Sequence, residues 1–402
     1  MTSSLPTTTT TTTSTSTTTW IGVALVLLLS ACAATQRNVP PPTPGCPGCA
    51  GAPAAATVEP ALAATTSPRL EFPPDEVRVS RLDLELEGKN DAELFAIGTA
   101  AFGGGDFARA ATAFSRLADL FPSSRHEPAA LFNAGLAYER IDEWRLALER
   151  FRTLERKYEG PDAIEASFRV AECQYHLREL GDARATLDRL ASAPGLSQGD
   201  RVRALAQRGI VELEDGKLEE AERTLRLALS TYRAASEDER LDEHYAAQAQ
   251  YYLGEVYREW FRALPLDPSK GDDAALQRDL EHKAEMLLSA QGHYLRAIRM
   301  GNDRWAVASG FRIGELYDEL RSHLLDAPLP PGLDEEHAEA YRAELRKRVR
   351  VLAAKAITAY EQTLARAARS GVDDLRFLSE AQGSLARLKA ALADDAKAQP
   401  GS

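Results

Sequence analysis

An all-α fold, a right-handed α-solenoid of about six helix pairs closed by one further helix, is what this sequence predicts. Three observations carry the expectation. First, a small-residue position recurs six times, as Ile97-Gly98, Ala134-Gly135, Ala171-Glu172, Arg208-Gly209, Leu253-Gly254 and Ile313-Gly314, with the second members 37, 37, 37, 45 and 60 residues apart. A period in the 30s, stretched later by insertions, marks units that each bury a face against their neighbours. Second, apolar residues in the copies fall at i, i+4 and i+7 on successive segments, the period of one helix face. Third, a last segment from about Asp373 to Ala393 carries Leu375, Leu378, Leu385, Leu388 and Leu392, an amphipathic helix suited to cap the open end.

The copies follow in order. Copy one has Leu94 and Gly98, then Ala110, Phe114 and Leu117, and Pro122 ends its second helix because proline cannot continue one. Copy two has Leu131, Gly135 and Tyr138, then Ala147, Phe151 and Leu154. In it Gly135 lets two helices approach closely, and Ala147 leaves room at the crossing. Copy three is looser, with Phe168, Ala171 and Tyr175 before Ala183, Leu187 and Leu190, after a turn one residue shorter. Copy four has Leu205 and Gly209, then Ala221, Leu225 and Ala228. Copy five keeps Leu253, Gly254 and Tyr257, but an insertion with Pro265 and Pro268 displaces its second helix to about Ala290, Tyr294 and Ala297. In copy six, Ile313, Gly314 and Tyr317 are separated from Ala356, Tyr360 and Leu364 by a Pro-rich segment at 328–332 and a charged helix.

This spacing of small, aromatic and apolar positions resembles the tetratricopeptide repeat (TPR), closely in copies one, two and four and partly in the rest. The resemblance implies that the first helices line a concave face that binds peptides, at positions three before, one after and four after the small residue. Carried onto this chain, those positions are Phe95, Thr99 and Phe102; Phe132, Leu136 and Glu139; Arg169, Cys173 and His176; Ala206, Ile210 and Leu213; Tyr251, Glu255 and Arg258; Phe311, Glu315 and Asp318. Such a groove passes from apolar to acidic, with Arg169 and Arg258 as isolated cations. The Lys/Arg clamp that co-chaperone members use for a terminal carboxylate is missing from copies one and two, so an amphipathic helix or apolar peptide fits better.

The ends bear on location. Residues 1–31 hold no charged side chain and finish in the apolar run Trp20 to Leu29 before Ser30, Ala31 and Cys32. That run is shorter than the roughly 20 residues a membrane span needs and fits the apolar core of a signal peptide. Leu29-Ser30-Ala31-Cys32 resembles a bacterial lipobox, although the Lys or Arg usual ahead of the apolar run is replaced by the Thr-rich tract 7–19. The resemblance implies cleavage before Cys32 and its modification by acyl chains such as palmitate, and two or more chains anchor durably. Ala33 after the cysteine favours, by the same analogy, the outer membrane. Residues 32–75 are rich in Pro, Ala, Thr and Gly and read as a disordered tether, so the chain from Cys32 to Asp91 spans roughly 45 Å. At 76–90, Val77, Val79, Leu82, Leu84 and Leu86 alternate with polar residues; this strand-like segment either packs on the first helix pair or pairs with a partner's sheet edge.

The domain plan is thus a signal peptide at 1–31, the tether at 32–75, an extended segment at 76–90 and a regular array at 91–236. Copies five and six follow with their insertions at 237–370, then a capping helix at 371–395 and a disordered tail at 396–402. The net charge of −12 disfavours nucleic acid, whose binding draws on Lys and Arg. The basic run Arg342, Arg346, Lys347, Arg348 and Arg350 is matched by Glu335, Glu336, Glu339 and Glu344 on the same predicted helix, a solvated salt-bridged face. Cys46 and Cys49 have a redox-pair spacing, yet sit in a Pro/Gly tether without the helix N-terminus that stabilises a thiolate. They read as a small disulfide loop, with a redox pair as the alternative. His176 with Glu179 and His282 with Glu285 are spaced i, i+3, without a third ligand at metal-site spacing. HExxH and GxxxxGK[ST] do not occur. No catalytic residue, metal, cofactor or small-molecule substrate is therefore expected.

These readings converge on a lipid-anchored periplasmic scaffold that binds envelope proteins through its concave face. It resembles TPR lipoproteins of outer-membrane assembly, of cell-division coordination and, most nearly, of gliding motility. The alternative is an envelope enzyme or cell-wall hydrolase accessory, with a site between Pro265 and Lys283 or between Ser322 and Lys347.

Overall fold

The structure, a computed structural model, describes residues 85–235, 241–270, 272–373 and 375–397. Thirteen α-helices and no strand occur among them. They pair in chain order as α1 (Asp91–Gly103) with α2 (Phe107–Leu120), α3 (Glu127–Glu139) with α4 (Trp144–Lys157), and α5 (Pro161–His176) with α6 (Leu180–Ser192). Then α7 (Gln198–Glu214) pairs with α8 (Leu218–Ala234), α9 (Glu243–Ala263) with α10 (Asp273–Arg299), and α11 (Asp303–Leu325) with α12 (Glu335–Ser370), before the last helix α13 (Leu375–Lys397). Each helix packs on the next in sequence, the geometry of a solenoid.

Caps define the helix starts. The Asn90 side chain accepts from the Glu93 amide while Glu93 reaches back to the Asn90 amide, a capping box that satisfies two orphan donors at the head of α1. Asp106, Ser197, Asp242, Asp272, Asn302 and Asp334 cap α2, α7, α9, α10, α11 and α12 by the same side-chain logic.

Close approach explains the small residues. A Cβ on Gly98 falls 2.7 Å from the Phe114 ring, on Gly209 2.5 Å from Leu225, and on Gly314 2.5 Å from Tyr360; Gly135 and Gly254 meet Phe151 and Tyr294 in the same way. In copies one, two and four the partner lies 16 residues downstream, across the helix hairpin.

That relation corrects the register of copy three. Counting 16 residues back from Leu187 gives Ala171, which is 3% exposed, whereas the Glu172 side chain is 41% exposed. The hairpin turns agree. A positive φ occurs at Gly105, Asp142, Arg178 and Gly216, each seven residues after Gly98, Gly135, Ala171 and Gly209. The next amide always bonds back over the turn: Asp106 to Ala101 O, Glu143 to Tyr138 O, Glu179 to Gln174 O and Lys217 to Glu212 O, at 2.8–3.0 Å. The turn of copy three is therefore as long as the others, and the first three steps are 37, 36 and 38 residues. Ser167, Ala171 and Gln174 take the places of Leu131, Gly135 and Tyr138, and the buried Gln174 is satisfied by the Thr186 hydroxyl at 2.9 Å.

The insertions of copies five and six lengthen helices. Helices α9 to α12 have 21, 27, 23 and 36 residues. The charged segment after Pro331 and the second helix of copy six form one helix, α12, which ends on left-handed Gly371. The added turns bury Phe261, Leu280, Leu320, Leu324 and Leu345. Lys283, 1% exposed, donates to Phe261 O and Leu264 O at 2.7 Å and lies 4.2 Å from the Phe261 ring, closing the end of α9. Ala381 and Leu388 of α13 seal the last core cluster. At the other end Leu86, 1% exposed, packs against the α1–α2 core, while Val77, Val79, Leu82 and Leu84 lie outside the described residues, as do Cys32, Cys46 and Cys49.

Candidate functional site: the face formed by the first helices

With the register of copy three corrected, the row three residues before each small position reads Phe95, Phe132, Phe168, Ala206, Tyr251 and Phe311. Most of it roofs the core. Phe168, Tyr251 and Phe311 are 1, 4 and 1% exposed. The Arg203 guanidinium lies 3.8 Å from the Phe168 ring centroid, and Tyr251 accepts from Arg312 Nε at 3.0 Å. Phe95 and Phe132 are half-buried and stand edge-on to the core rings Phe114 and Phe151 at 5.7 and 5.6 Å. Phe102 meets Phe107 edge-on at 5.2 Å, and Leu136 is half-buried beside the copy-two core.

Arg169 and Arg258 are not the isolated cations that the sequence implies; both are paired. Arg169 pairs with Glu139, Glu165 and Glu172 at 3.3, 3.4 and 3.1 Å. Arg258, 2% exposed, lies among Glu255, Glu315 and Glu319. Burial alone would lower its pKa, but the Glu319 hydrogen bond and the three carboxylates raise it above the ordinary arginine value. Arg262 and Arg312 join the same network, and Arg387 of α13 holds Asp318 at 2.6 Å. The C-terminal end of the face is thus a neutralised lattice of ion pairs between α9 and α11. Arginine suits it because its five donors reach several carboxylates at once.

Midway, the row carries Ala206 where its neighbours carry aromatics, and a cavity of about 190 Å³ opens between α5, α7 and α9. Its walls are Tyr175, Ile210, Val211 and Tyr252, and its rim is Glu172, His176, Gln207 and Gln248. The His176 ring lies flat on Trp144, 3.8 Å away at 11°, so the rim is stiffened from copy two. Burial raises the pKa of Tyr175 and Tyr252, which keeps both phenols as protonated donors. Gln248 Oε1 is buried without a hydrogen-bond partner among the described residues, an acceptor that a ligand N–H can satisfy. An apolar pocket ringed by a few oriented polar groups binds a side chain and fixes its approach.

Of the residues singled out from sequence, His176 and Ile210 meet at this cavity. Phe95, Phe102, Phe132 and Leu136 lie N-terminal to it, and Tyr251, Arg258 and Phe311 are buried beyond it. Sequence reasoning missed Tyr175, Tyr252 and Gln248 as parts of the cavity; the 16-residue spacing from Ala171 to Leu187 was the signal for Tyr175, while Phe168 is the core residue its spacing implied. The i, i+3 pairs stay separate from any metal-like cluster: Glu179 binds Arg145 at 3.0 Å, and among the described residues no three His, Cys, Asp or Glu side chains group as a metal site. His282 is exposed, and His337 pairs with its own helix cap Asp334 at 2.7 Å.

The profile of the tetratricopeptide repeat family matches residues 95–144 and 132–197. Among solved structures, the crystal structure of MamA protein is 15% identical, covering 52% of this chain and 94% of that one at a TM-score of 0.36. The apo form of RapI is 12% identical, covering 76% of this chain and 99% of its own at 0.42. A tetratricopeptide repeat protein from Parabacteroides merdae is 13% identical, covering 74% and 98% at 0.35. Among curated proteins none matches the sequence. Residues 95–197 thus match tetratricopeptide repeats, and the remaining helix pairs continue the same packing as an all-α solenoid.

Proposed function

We propose that this chain is a scaffold that holds proteins of a bacterial envelope complex together, tethered by an acylated Cys32 to the periplasmic face of the outer membrane. The observation that carries the binding role is the cavity between α5, α7 and α9 on the face of the first helices. It takes an apolar side chain of an extended or helical segment, whose backbone or amide donor reaches Gln248 Oε1. Support for the anchor is the Leu29-Ser30-Ala31-Cys32 sequence after an uncharged apolar run, and the Pro-rich chain that follows it. Among the described residues no helix is long and apolar enough to cross a membrane.

Two experiments test the parts separately. Cys32→Ala is expected to move the protein from the membrane fraction to the soluble one; retention in the membrane contradicts the anchor. Chemical crosslinking in intact cells followed by purification is expected to recover a defined envelope protein with the wild type and much less of it with Ile210→Asp. Equal recovery from both contradicts the cavity as the docking point.

A further inference from the structure

On the opposite side of the solenoid, where the second helices lie, a larger trough runs between α10 and α12 with α11 as its floor. Its volume is about 700 Å³ and it is open to solvent. Leu295 and Ile298 of α10, Ile313 of α11 and Val351 of α12 give it an apolar bed, with Val351 37% exposed. Along α12 the lining recurs at steps of three and four from Val351 to Arg369. A stretch of 18 residues is about 27 Å, five helical turns. Among the described residues no carboxylate lines the trough, whereas Lys355, Arg366 and Arg369 do. That is a local excess of positive charge on a chain of net charge −12.

The cations are poorly matched from within. Among the described residues, Lys355 Nζ and Arg366 Nε are buried without a hydrogen-bond partner. Lys355 lies over the face of the Tyr317 ring, 5.3 Å away. Arg366 keeps one ion pair, with Asp303 at 2.9 Å, and Arg369 forms none among the described residues. A buried donor left open costs free energy that an incoming acceptor recovers, and carboxylates are the strongest acceptors for Lys and Arg.

We propose that this trough is a second docking surface and that its occupant is an acidic amphipathic helix of a partner protein. The helix is about five turns long. It lays an apolar i, i+3/i+4 face on Leu295, Ile298 and Val351, and places carboxylates about three turns apart against Lys355 and the Arg366–Arg369 end. A helix satisfies its own backbone and so tolerates an open trough. A small anionic amphiphile instead favours a closed pocket that buries most of its surface.

The test is selection of an unbiased displayed library of 18-residue helical peptides against the full chain. The expected winners carry one apolar face and an excess of Asp and Glu spaced about three turns apart. Their binding should weaken about tenfold or more with Arg369→Glu, an exposed position that leaves the core intact, and with Lys355→Gln. It should survive Ile210→Asp, which separates this surface from the cavity across the molecule. Winners that are neutral or basic, or that ignore Arg369→Glu, overturn the proposal. So does oleate that binds the trough while no peptide does, which would make the occupant a lipid-like anion.

Discussion

The Phe151 ring rests against the bare Cα of Gly135, in space that a single Cβ would occupy. One methyl group there forces either the ring or the α3–α4 crossing to shift. Gly135→Ala is therefore expected to lower stability by about 1–3 kcal/mol through overpacking. Gly383 in the middle of α13 has nothing within 4 Å of its built Cβ, and Gly383→Ala is expected to gain about 0.5–1 kcal/mol from helix propensity. Denaturant unfolding of both variants checks the pair; equal effects at the two positions would speak against close helix approach as the reason for the repeated glycine.

Cys173 is buried, and burial, reinforced by Glu139 and Glu172, pushes its thiol well above the ordinary range. A thiol reacts as its thiolate, so the folded protein is expected to leave Cys173 unmodified by iodoacetamide at pH 8 and to label it fully in urea. Peptide mass spectrometry reads the difference. Rapid labelling of the native chain would place Cys173 outside the core.

Glu139 holds its proton to about pH 7, because burial opposes its charge more than Arg169 favours it. The unfolded carboxyl ionises near 4.5, so the folded state binds the extra proton between those values. Stability then falls as pH rises from about 4.5 to about 7. Glu139→Gln is expected to flatten that decline, seen as urea midpoints that no longer drop across the window. A wild-type midpoint constant from pH 4.5 to 7 would contradict it.

Lys283 runs the other way in charge. Burial lowers its pKa from 10.5 to about 8, against the pull of Glu319. Between those values the unfolded chain holds a proton the folded one has released, so stability rises with pH from about 8 to 10.5. Lys283→Met should remove this rise and also strip the Phe261 and Leu264 carbonyls of their donor. Melting temperatures across the range measure it.

The helix pairs were legible because glycine against a ring leaves a mark at a fixed distance in the chain, as at Gly98–Phe114 and Gly135–Phe151. Copy three hid its register for a physical reason. Tyr175 walls the cavity, yet its spacing from buried Phe168 imitates a core stripe, and equal steps of 37 made Glu172 look like the small position. The first half of α12 carries its own stripe, Ala338, Tyr341, Leu345, Val349 and Leu352, but the dense charges between these positions made it read as a separate charged helix. The ion-pair lattice was invisible in sequence, since Arg258 finds Glu315 and Glu319 57 and 61 residues away. The cavity was half legible: Ile210 followed from the repeat positions, His176 was reached one residue beyond its true position Tyr175, and Tyr252 and Gln248 enter from helix α9, beyond the row.

Site-specific photo-crosslinking in living cells puts the scaffold reading to its most direct test. A photoreactive residue at Ile210, in the cavity, is expected to give a discrete adduct with one envelope protein. The same residue at Leu227, 52% exposed on α8, is expected to give none. An adduct from Leu227 with nothing from Ile210 would contradict a concave face built to hold a partner.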